Sequence, residues 1–501
     1  MDLKGLCLQR SLGPVVPMSW RCTSTERLRV MSQPLHSLTG HTTPILTLPD
    51  AAQDVYDGVR DMPIISPHGH CDPSWFAENQ AFSDPAELLI IPDHYIFRML
   101  YSQGVALEDL GIGVPPEKRD ARSIFRIFAS HWHKFRGTPS DSWFATTMAR
   151  SFGITATLNA ENADVFYDKI DAELKAARLR PQALLEEFNI EVLATTDNAL
   201  SDLNHHKTAR KQKLSGKIVP TFRPDSILDP KHPDFRHDIL RLAEVTGQET
   251  ESFAGYLEAL RDRRAYFMAY GATATDHAVS DLMTCHLTEK RAAALYVKAC
   301  SGKITPKETQ VFYGHMLTEM AQMSAEDGLV MQIHAGSRRN TNKALYEKFG
   351  ANMGADMPVR VNWVDGMDAL LNRVGNERDM NILLFTLDEG AYARELAPMA
   401  GHWPALRLGP PWWFHDSANG IARYLDQVVE TAGYWNLAGF NDDTRGLMSI
   451  PARHDMWRRG VSLHLAKQRG RGILGRSDVD ELARLLCRDL TVDAYKLGKV
   501  V

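Results

Sequence analysis

Short apolar runs that are rich in β-branched residues recur along the chain, and polar residues follow nearly every one of them. Stretches with helical apolar spacing separate these runs, a pattern typical of repeated strand–helix units and a parallel sheet. Eight such units close into a barrel. The sequence therefore predicts an α/β fold, a (β/α)8 TIM-like barrel. The eight predicted strands are Met62–Ser66, Glu191–Thr196, Lys217–Phe222, Ala272–Asp276, Leu329–His334, Asn381–Leu387, Ala405–Leu408 and Leu437–Asn441.

The first two predicted strands lie much farther apart than one strand–helix unit requires. About 120 residues separate them, where a simple unit takes roughly 30. Three segments of this interval have helical apolar spacing, and Pro181 suits the first turn of the last one. We therefore expect a helical insertion at about 100–185 between strands one and two, capping one side of the barrel mouth. The three segments are Ser123–Phe135, Asn162–Ala177 and Pro181–Phe188.

The chain is expected to divide into a leader and one large domain. Residues 1–45 are predicted to be a poorly ordered leader, and residues 46–501 the barrel, with C-terminal helices at about 456–498. The first part of the leader is rich in Arg and Ser and has only two acidic residues, Asp2 and Glu26, which resembles an organellar transit peptide. An unstructured leader, with Met31 as the true start, is the alternative.

Composition and charge exclude several kinds of partner. The chain has 501 residues, of which 57 are Lys or Arg and 62 are Asp or Glu, and no basic face stands out, so no nucleic-acid partner is expected. No apolar run reaches the roughly 18–20 residues needed to cross a bilayer, so no membrane partner is expected. The six cysteines have no paired spacing, as in reduced cytosolic proteins. These features predict a cytoplasmic enzyme and leave open whether it is a homo-oligomer.

Two histidines follow the first predicted strand, and in barrels of this class the reactive groups lie where strands run into their following loops. His68 and His70 alternate with Gly69, so an extended backbone points both imidazoles to the same face. Strands one and eight are neighbours in a closed barrel, so a carboxylate after strand eight could complete a mononuclear metal site. Asp443 is the natural candidate and Asp442 competes with it. Nitrogen and oxygen ligands without a thiolate suit Zn2+ first, then Mn2+, Fe2+ or Co2+.

Several motifs, in order along the chain, resemble uronate isomerases of the amidohydrolase superfamily. Together they cover roughly residues 45–498, and their combination is specific although each alone is weak. The resemblance implies aldose–ketose isomerisation of hexuronic acids, D-glucuronate to D-fructuronate and D-galacturonate to D-tagaturonate. The motifs are Pro63-Ile-Ile-Ser-Pro-His-Gly-His70, Asp93-His-Tyr-Ile-Phe-Arg98, Pro220-Thr-Phe-Arg-Pro-Asp225, Gln332-Ile-His-Ala-Gly336, Trp412-Trp-Phe-His-Asp416, Asp443-Thr-Arg445 and Arg453-His-Asp455.

The same resemblance assigns roles to particular residues and implies a small-molecule hexuronate as the partner. It implies one divalent metal held by His68, His70 and Asp443. Moving a proton from C2 to C1 through a cis-enediol needs a group that acts first as base and then as acid. Tyr95, His94 and a metal-bound water are the candidates, and Arg223 or Arg445 could hold the substrate carboxylate with a forked guanidinium. The implied catalytic residues are His94, Tyr95, Arg445 and Asp443, and the implied substrate-binding residues are Arg223, His334, Trp412 and Arg445.

Several of these residues also have ordinary structural explanations. Arg223 could pair only with Asp225. His94 and Tyr95 are adjacent and cannot share one helical face, so at most one is expected to meet the substrate directly. A tryptophan at a strand end, such as Trp412, usually packs in the core, and His334 could support the metal ligands instead of binding the ion.

Two other functions remain open at this stage. A hydrolase or decarboxylase of the same superfamily could use a mononuclear metal. A binuclear hydrolase would ordinarily have a bridging Lys on strand four, and the end of that strand reads Ala274-Thr-Asp-His277 instead. A barrel that binds a sugar acid without converting it would need neither the metal ligands nor Tyr95 with Arg445.

Overall fold

A computed structural model describes residues 46–500, so the predicted leader of residues 1–45 lies outside the described residues. Seven parallel strands form the main sheet, and two short antiparallel strands form a separate hairpin. In the main sheet each strand pairs with the next one along the chain, in the order β1-β2-β3-β4-β5-β8-β9. The strands are β1 (Ile64–Ser66), β2 (Ile190–Asn198), β3 (Lys217–Arg223), β4 (Ala274–Val279), β5 (Val330–Ala335), β6 (Ser337–Arg338), β7 (Met357–Pro358), β8 (Ile382–Thr386) and β9 (Leu406–Leu408).

Helices alternate with the strands of the main sheet, which is the arrangement that the predicted barrel requires. Their apolar faces pack on the sheet in one large core that contains Trp363, Phe267 and Tyr424. The helices outside the β1–β2 interval are Asp50–Asp57, Asn204–Lys211, Asp225–Leu228, Phe235–Thr246, Phe253–Ala269, Glu289–Cys300, Pro306–Asp327, Lys343–Phe349, Trp363–Val374, Glu389–Ala391, Ala397–Ala400, Ala418–Ala432, Ile450–Gly470, Arg476–Arg484 and Leu490–Ala494. The fold is the predicted α/β TIM-like fold, and no helix in residues 46–500 is long and apolar enough to span a membrane.

The interval between β1 and β2 is helical. Its aromatic side chains, among them Phe125, Phe128 and Trp132, pack in a second core distinct from that of the barrel helices. The helix His94–Ser102 begins here, and the Asp93 carboxylate accepts a hydrogen bond from the Tyr95 backbone N–H, 2.8 Å away, which caps its first turn. The helices of this interval are Pro73–Glu78, Pro85–Leu89, His94–Ser102, Ala121–His131, Pro139–Phe152, Ala163–Leu174 and Pro181–Glu187.

The prediction of a regular eighth strand at Leu437–Asn441 is wrong. Its one ladder contact in the described part of the chain is a parallel bridge from Leu437 to Leu408. Gly439 has a φ of +74°, which turns the chain out of the extended conformation. The backbone N–H of Phe440 then donates to Thr491 Oγ1, 3.1 Å away, instead of to a neighbouring strand. A C-terminal helix thus satisfies backbone groups that a strand would have satisfied, so apolar composition alone did not decide the conformation here.

The junction of Gly439 with Thr491 generates a stability prediction. An added Cβ at Gly439 would overlap Thr491 Oγ1 and lie 2.8 Å from the Thr491 backbone nitrogen. We expect Gly439→Ala to lower the free energy of unfolding by about 3 kcal/mol, because overlap adds to the strain of a left-handed backbone. Urea unfolding followed by tryptophan fluorescence would measure the change.

Gly472 offers a matched control. Its φ is +73°, and an added Cβ would meet nothing within 4 Å. Gly472→Ala should therefore cost only the backbone strain, about 1 kcal/mol. Equal losses for the two variants would contradict the role given to the Gly439–Thr491 contact.

Candidate metal centre and active site

The polar residues that follow the strands meet around one cavity of about 300 Å³. They converge because parallel strands of a barrel all end at the same rim, where the following loops begin. Of the residues predicted from sequence to form the site, all but Tyr95 line this cavity. They are His68, His70, His94, Arg223, His334, Trp412, Asp443 and Arg445.

The Asp443 carboxylate lies at the centre of the predicted metal group. Its Oδ1 atom is 3.1 Å from His70 Nε2 and 3.5 Å from His68 Nε2. Its Oδ2 atom accepts a hydrogen bond of 2.7 Å from the Trp412 indole N–H. The neighbouring Asp442 instead pairs with His454, at 3.1 Å, on the buried side of the helix Ile450–Gly470. Of the two candidate aspartates, Asp443 is the one that faces His68 and His70.

His334 brings a third imidazole to this group. Its Nδ1 is 2.7 Å from Asp276 Oδ1, and its buried Nε2 has no hydrogen-bond partner among the described residues. The ligand atoms of His68, His334 and Asp443 all lie within 4.8 Å of one another. An orphaned buried nitrogen beside a carboxylate and other imidazoles is the donor set expected of a divalent-metal site. These residues could hold a metal ion. The group that meets this distance includes His334 and not the predicted ligand His70, which reaches the site through Asp443 at 3.1 Å.

Burial and pairing set the charges in the cavity. Burial by itself would raise the pKa of Asp443, but hydrogen bonds from His68 and His70 outweigh it and hold that pKa well below its usual value. Burial also opposes ionisation of Asp276, and the charges of Arg223 and His334 nevertheless keep the pKa of Asp276 well below its usual value. Burial, reinforced by the Arg445 charge, lowers the pKa of His94 to about 3. Asp276 and Asp443 are thus ionised, and the His94 imidazole is neutral, at neutral pH.

The two arginines predicted to bind substrate differ in their partners. Arg223 makes two ion pairs, through Nε to Asp225 at 2.7 Å and through a terminal nitrogen to Asp276 at 3.0 Å. Its pairing is therefore broader than a contact with Asp225 alone. Arg445 donates to Asn352 Oδ1 at 3.3 Å and forms no ion pair with any carboxylate in residues 46–500. Arg445 is the better placed of the two to receive an anionic substrate group.

His94 and Tyr95 occupy different surroundings although they are adjacent. Their rings stack with centroids 4.7 Å apart, and His94 lines the cavity. Tyr95 packs edge-on against Trp143, at 5.6 Å, and the Arg453 guanidinium lies 5.2 Å from its ring. Burial raises the pKa of Tyr95, and the Arg453 charge opposes that increase.

Eight further residues line the cavity and were not assigned to the site from the sequence: Arg98, Thr196, Asp276, Arg339, Asn352, Gly354, Asp356 and Trp413. Asp276 lies inside β4 but ends the predicted strand Ala272–Asp276, so its position at the end of that run was a usable signal. Arg339, Asn352 and Asp356 belong to the β6–β7 hairpin and the loop inside it, where no strand pattern pointed to the site. Arg339 is paired with Asp356 at 2.8 Å.

Fold and site together define an α/β barrel whose strand ends carry a His/Asp group able to hold a metal. The sequence model of the family described as glucuronate isomerase matches residues 42–496. The chain belongs to the glucuronate isomerase family.

Individual relatives agree with this assignment. The chain is 50% identical to a uronate isomerase from Mesorhizobium japonicum over 450 residues, covering 89% of this chain and 96% of the relative. It is 49% identical to a uronate isomerase from Phenylobacterium zucineum over 452 residues, 90% of this chain and 94% of the relative. The crystal structure of a glucuronate isomerase from Caulobacter crescentus superposes with a TM-score of 0.88 at 47% identity, covering 89% of this chain and 94% of that one. A uronate isomerase structure from Thermotoga maritima superposes with a TM-score of 0.85 at 28% identity, covering 89% of this chain and 98% of that one.

The contacts of Asp443 generate a prediction about metal retention. Asp443→Asn should lower the affinity for the metal by at least roughly 10–100-fold, the loss typical of removing a residue that only supports a ligand. Less metal should then remain bound after dialysis against a weak chelator. Arg445→Met should leave it unchanged, because Arg445 is not a donor to the ion. Atomic emission would give the metal-to-protein ratio. Equal metal loss in both variants would argue against this division of roles.

Proposed function

We propose that this protein catalyses the aldose–ketose isomerisation of hexuronates, converting D-glucuronate to D-fructuronate and D-galacturonate to D-tagaturonate. One observation carries the proposal. A single cavity contains the His/Asp group and an Arg445 guanidinium with no carboxylate partner in the described part of the chain. An open-chain hexuronate has a carbonyl at one end and a carboxylate at the other, which matches these two features. The relatives named above are uronate isomerases.

The reaction moves two hydrogens and no carbon. The proton on C2 leaves to give a cis-enediol and is returned to C1, while the hydroxyl proton of O2 passes to O1. The aldehyde C1 becomes a hydroxymethyl carbon, and C2 becomes a carbonyl. One group on one face of the enediol could therefore serve as base and then as acid.

His68, His70 and Asp443 would hold the metal, with His334 Nε2 as a further nitrogen donor. Their nitrogen and oxygen atoms suit Zn2+ first, with Mn2+, Fe2+ and Co2+ as alternatives. A bound divalent cation would supply positive charge next to the sugar oxygens that become negative during enolisation.

Arg445 would bind the substrate carboxylate, and the Trp412 indole would pack against the sugar. Arg223 would act differently, because its ion pairs with Asp225 and Asp276 already neutralise it. It would position Asp276, which in turn holds the His334 ring. Substrate orientation and site architecture are thus assigned to different arginines.

We assign the proton transfer to the stacked pair of His94 and Tyr95. His94 lines the cavity, and its low pKa keeps the imidazole neutral at neutral pH, with a lone pair available for a proton but with weak basicity. Burial raises the pKa of Tyr95 more than the adjacent Arg453 charge lowers it, so Tyr95 would act in its neutral phenol form. His94 and Tyr95 would together remove the proton from C2 and return it to C1.

The hydrolase and decarboxylase alternatives have less support. The relatives reported above are named for isomerisation, and β4 presents Asp276, which is paired with His334, instead of a bridging Lys.

The cysteines in residues 46–500 are free thiols, which favours the predicted cytoplasmic location.

The reaction itself can be tested directly. Purified protein loaded with Zn2+ is incubated with D-glucuronate or D-galacturonate in D2O, and the products are followed by NMR. We expect the corresponding ketouronate, with deuterium at C1 to the extent that the transferred proton exchanges with solvent. An intact metal site that converts neither sugar would overturn the proposed function.

The proton-transfer assignment predicts a loss of turnover without a loss of metal. His94→Gln and Tyr95→Phe should each lower kcat by about 10²–10⁴-fold, the range typical of general acid–base catalysis. Tyr101 lies on the same helix and is 40% exposed, so Tyr101→Phe is a matched control expected to retain full activity. A kcat within threefold of wild type in either His94→Gln or Tyr95→Phe would remove that residue from the proton-transfer pair.

A further inference from the structure

Asn352 lies where three cavities meet. It lines the metal-site cavity of about 300 Å³, a neighbouring one of about 640 Å³ and a third of about 260 Å³. Its loop, residues 350–356, connects the helix Lys343–Phe349 to β7. A side chain at this junction is positioned to contact what enters the metal-site cavity.

The loop around Asn352 is anchored on both sides. Gly354 has a φ of +68°, and an added Cβ there would lie 2.6 Å from Arg98 Cβ and 3.3 Å from the His94 carbonyl oxygen. The loop therefore packs closely on the helix that carries His94. On its other side, the Thr341 backbone N–H donates to the Ala355 carbonyl at 2.8 Å, and Asp356 holds Arg339. These contacts fix the position from which Asn352 reaches Arg445.

The chemical nature of the Asn352 side chain is informative. Its Oδ1 accepts a hydrogen bond from Arg445 at 3.3 Å. The arginines at positions 223 and 339 on the same cavity are instead paired with carboxylates, at 2.7 Å and 2.8 Å. A neutral amide directs the Arg445 guanidinium without cancelling its charge, whereas an aspartate there would form an internal ion pair.

We propose that Asn352 is a specificity-determining residue that orients Arg445 and leaves its charge available for the substrate carboxylate. The inference rests on the proposed hexuronate isomerisation and extends it to a residue of the loop inside the β6–β7 hairpin. Selection of carboxylated over neutral sugars then depends on this neutral acceptor as well as on the arginine.

The test compares Asn352→Asp with wild type, using D-glucuronate and steady-state kinetics. Asp differs from Asn by one atom and tolerates the φ of +66° at this position. The introduced carboxylate competes with the substrate for Arg445, so KM should rise about tenfold while kcat changes by less than twofold. Asn352→Gly also tolerates this φ and removes the acceptor without adding charge, and its KM should rise about twofold to threefold.

Ala351→Asp is the matched control, because it adds the same charge one residue away on an exposed position. Its KM should stay within twofold of wild type. The inference is overturned if Asn352→Asp retains the wild-type KM, if it lowers kcat alone, or if Ala351→Asp raises KM equally. Absence of turnover in the wild-type protein would instead refute the proposed function, so the two failures are distinguishable. Metal content and circular dichroism would establish that each variant is folded.

Discussion

The closing contact between the first and last segments of the barrel is the constraint on which the site depends. The His70 backbone N–H donates to the Thr444 carbonyl oxygen at 2.9 Å, which joins the chain after β1 to the chain after the irregular eighth segment. This contact places His68 and His70 beside Asp443, more than 370 residues away in sequence. Asp443 itself adopts a φ of +39°, a conformation that costs most residues about 1 kcal/mol or more and that Asp tolerates better than most.

Electrostatic pairing explains how so many charges stay close together. Asp276 and Asp443 are largely removed from water, which by itself disfavours their ionised forms. Imidazoles and Arg223 compensate for that cost. Arg445 differs, because it forms no ion pair with a carboxylate in residues 46–500 and donates to the neutral amide of Asn352. The proposed binding of the substrate carboxylate depends on this difference.

The insertion between β1 and β2 and the β6–β7 hairpin both contribute to the cavity wall. His94 comes from the first and Asn352 from the second, and Gly354 packs against the helix of His94. The barrel strands supply the groups around the proposed metal. The two additions supply other parts of the cavity wall, among them His94 and Asn352, so these parts of the cavity can vary without disturbing the strand ends.

The sequence by itself determined the class of fold, because apolar runs followed by polar residues report strand ends regardless of distant contacts. For the same reason it brought His68, His70, Asp443 and Arg445 to one rim. Only the tertiary structure decided that Leu437–Asn441 is not a strand, since Thr491 competes for its backbone. Only the tertiary structure showed that Asp276 holds both His334 and Arg223, and that His94 lines the cavity while Tyr95 packs behind it. These outcomes depend on which residues, distant in sequence, pair with each buried polar group in the folded chain. Local spacing does not indicate those partners.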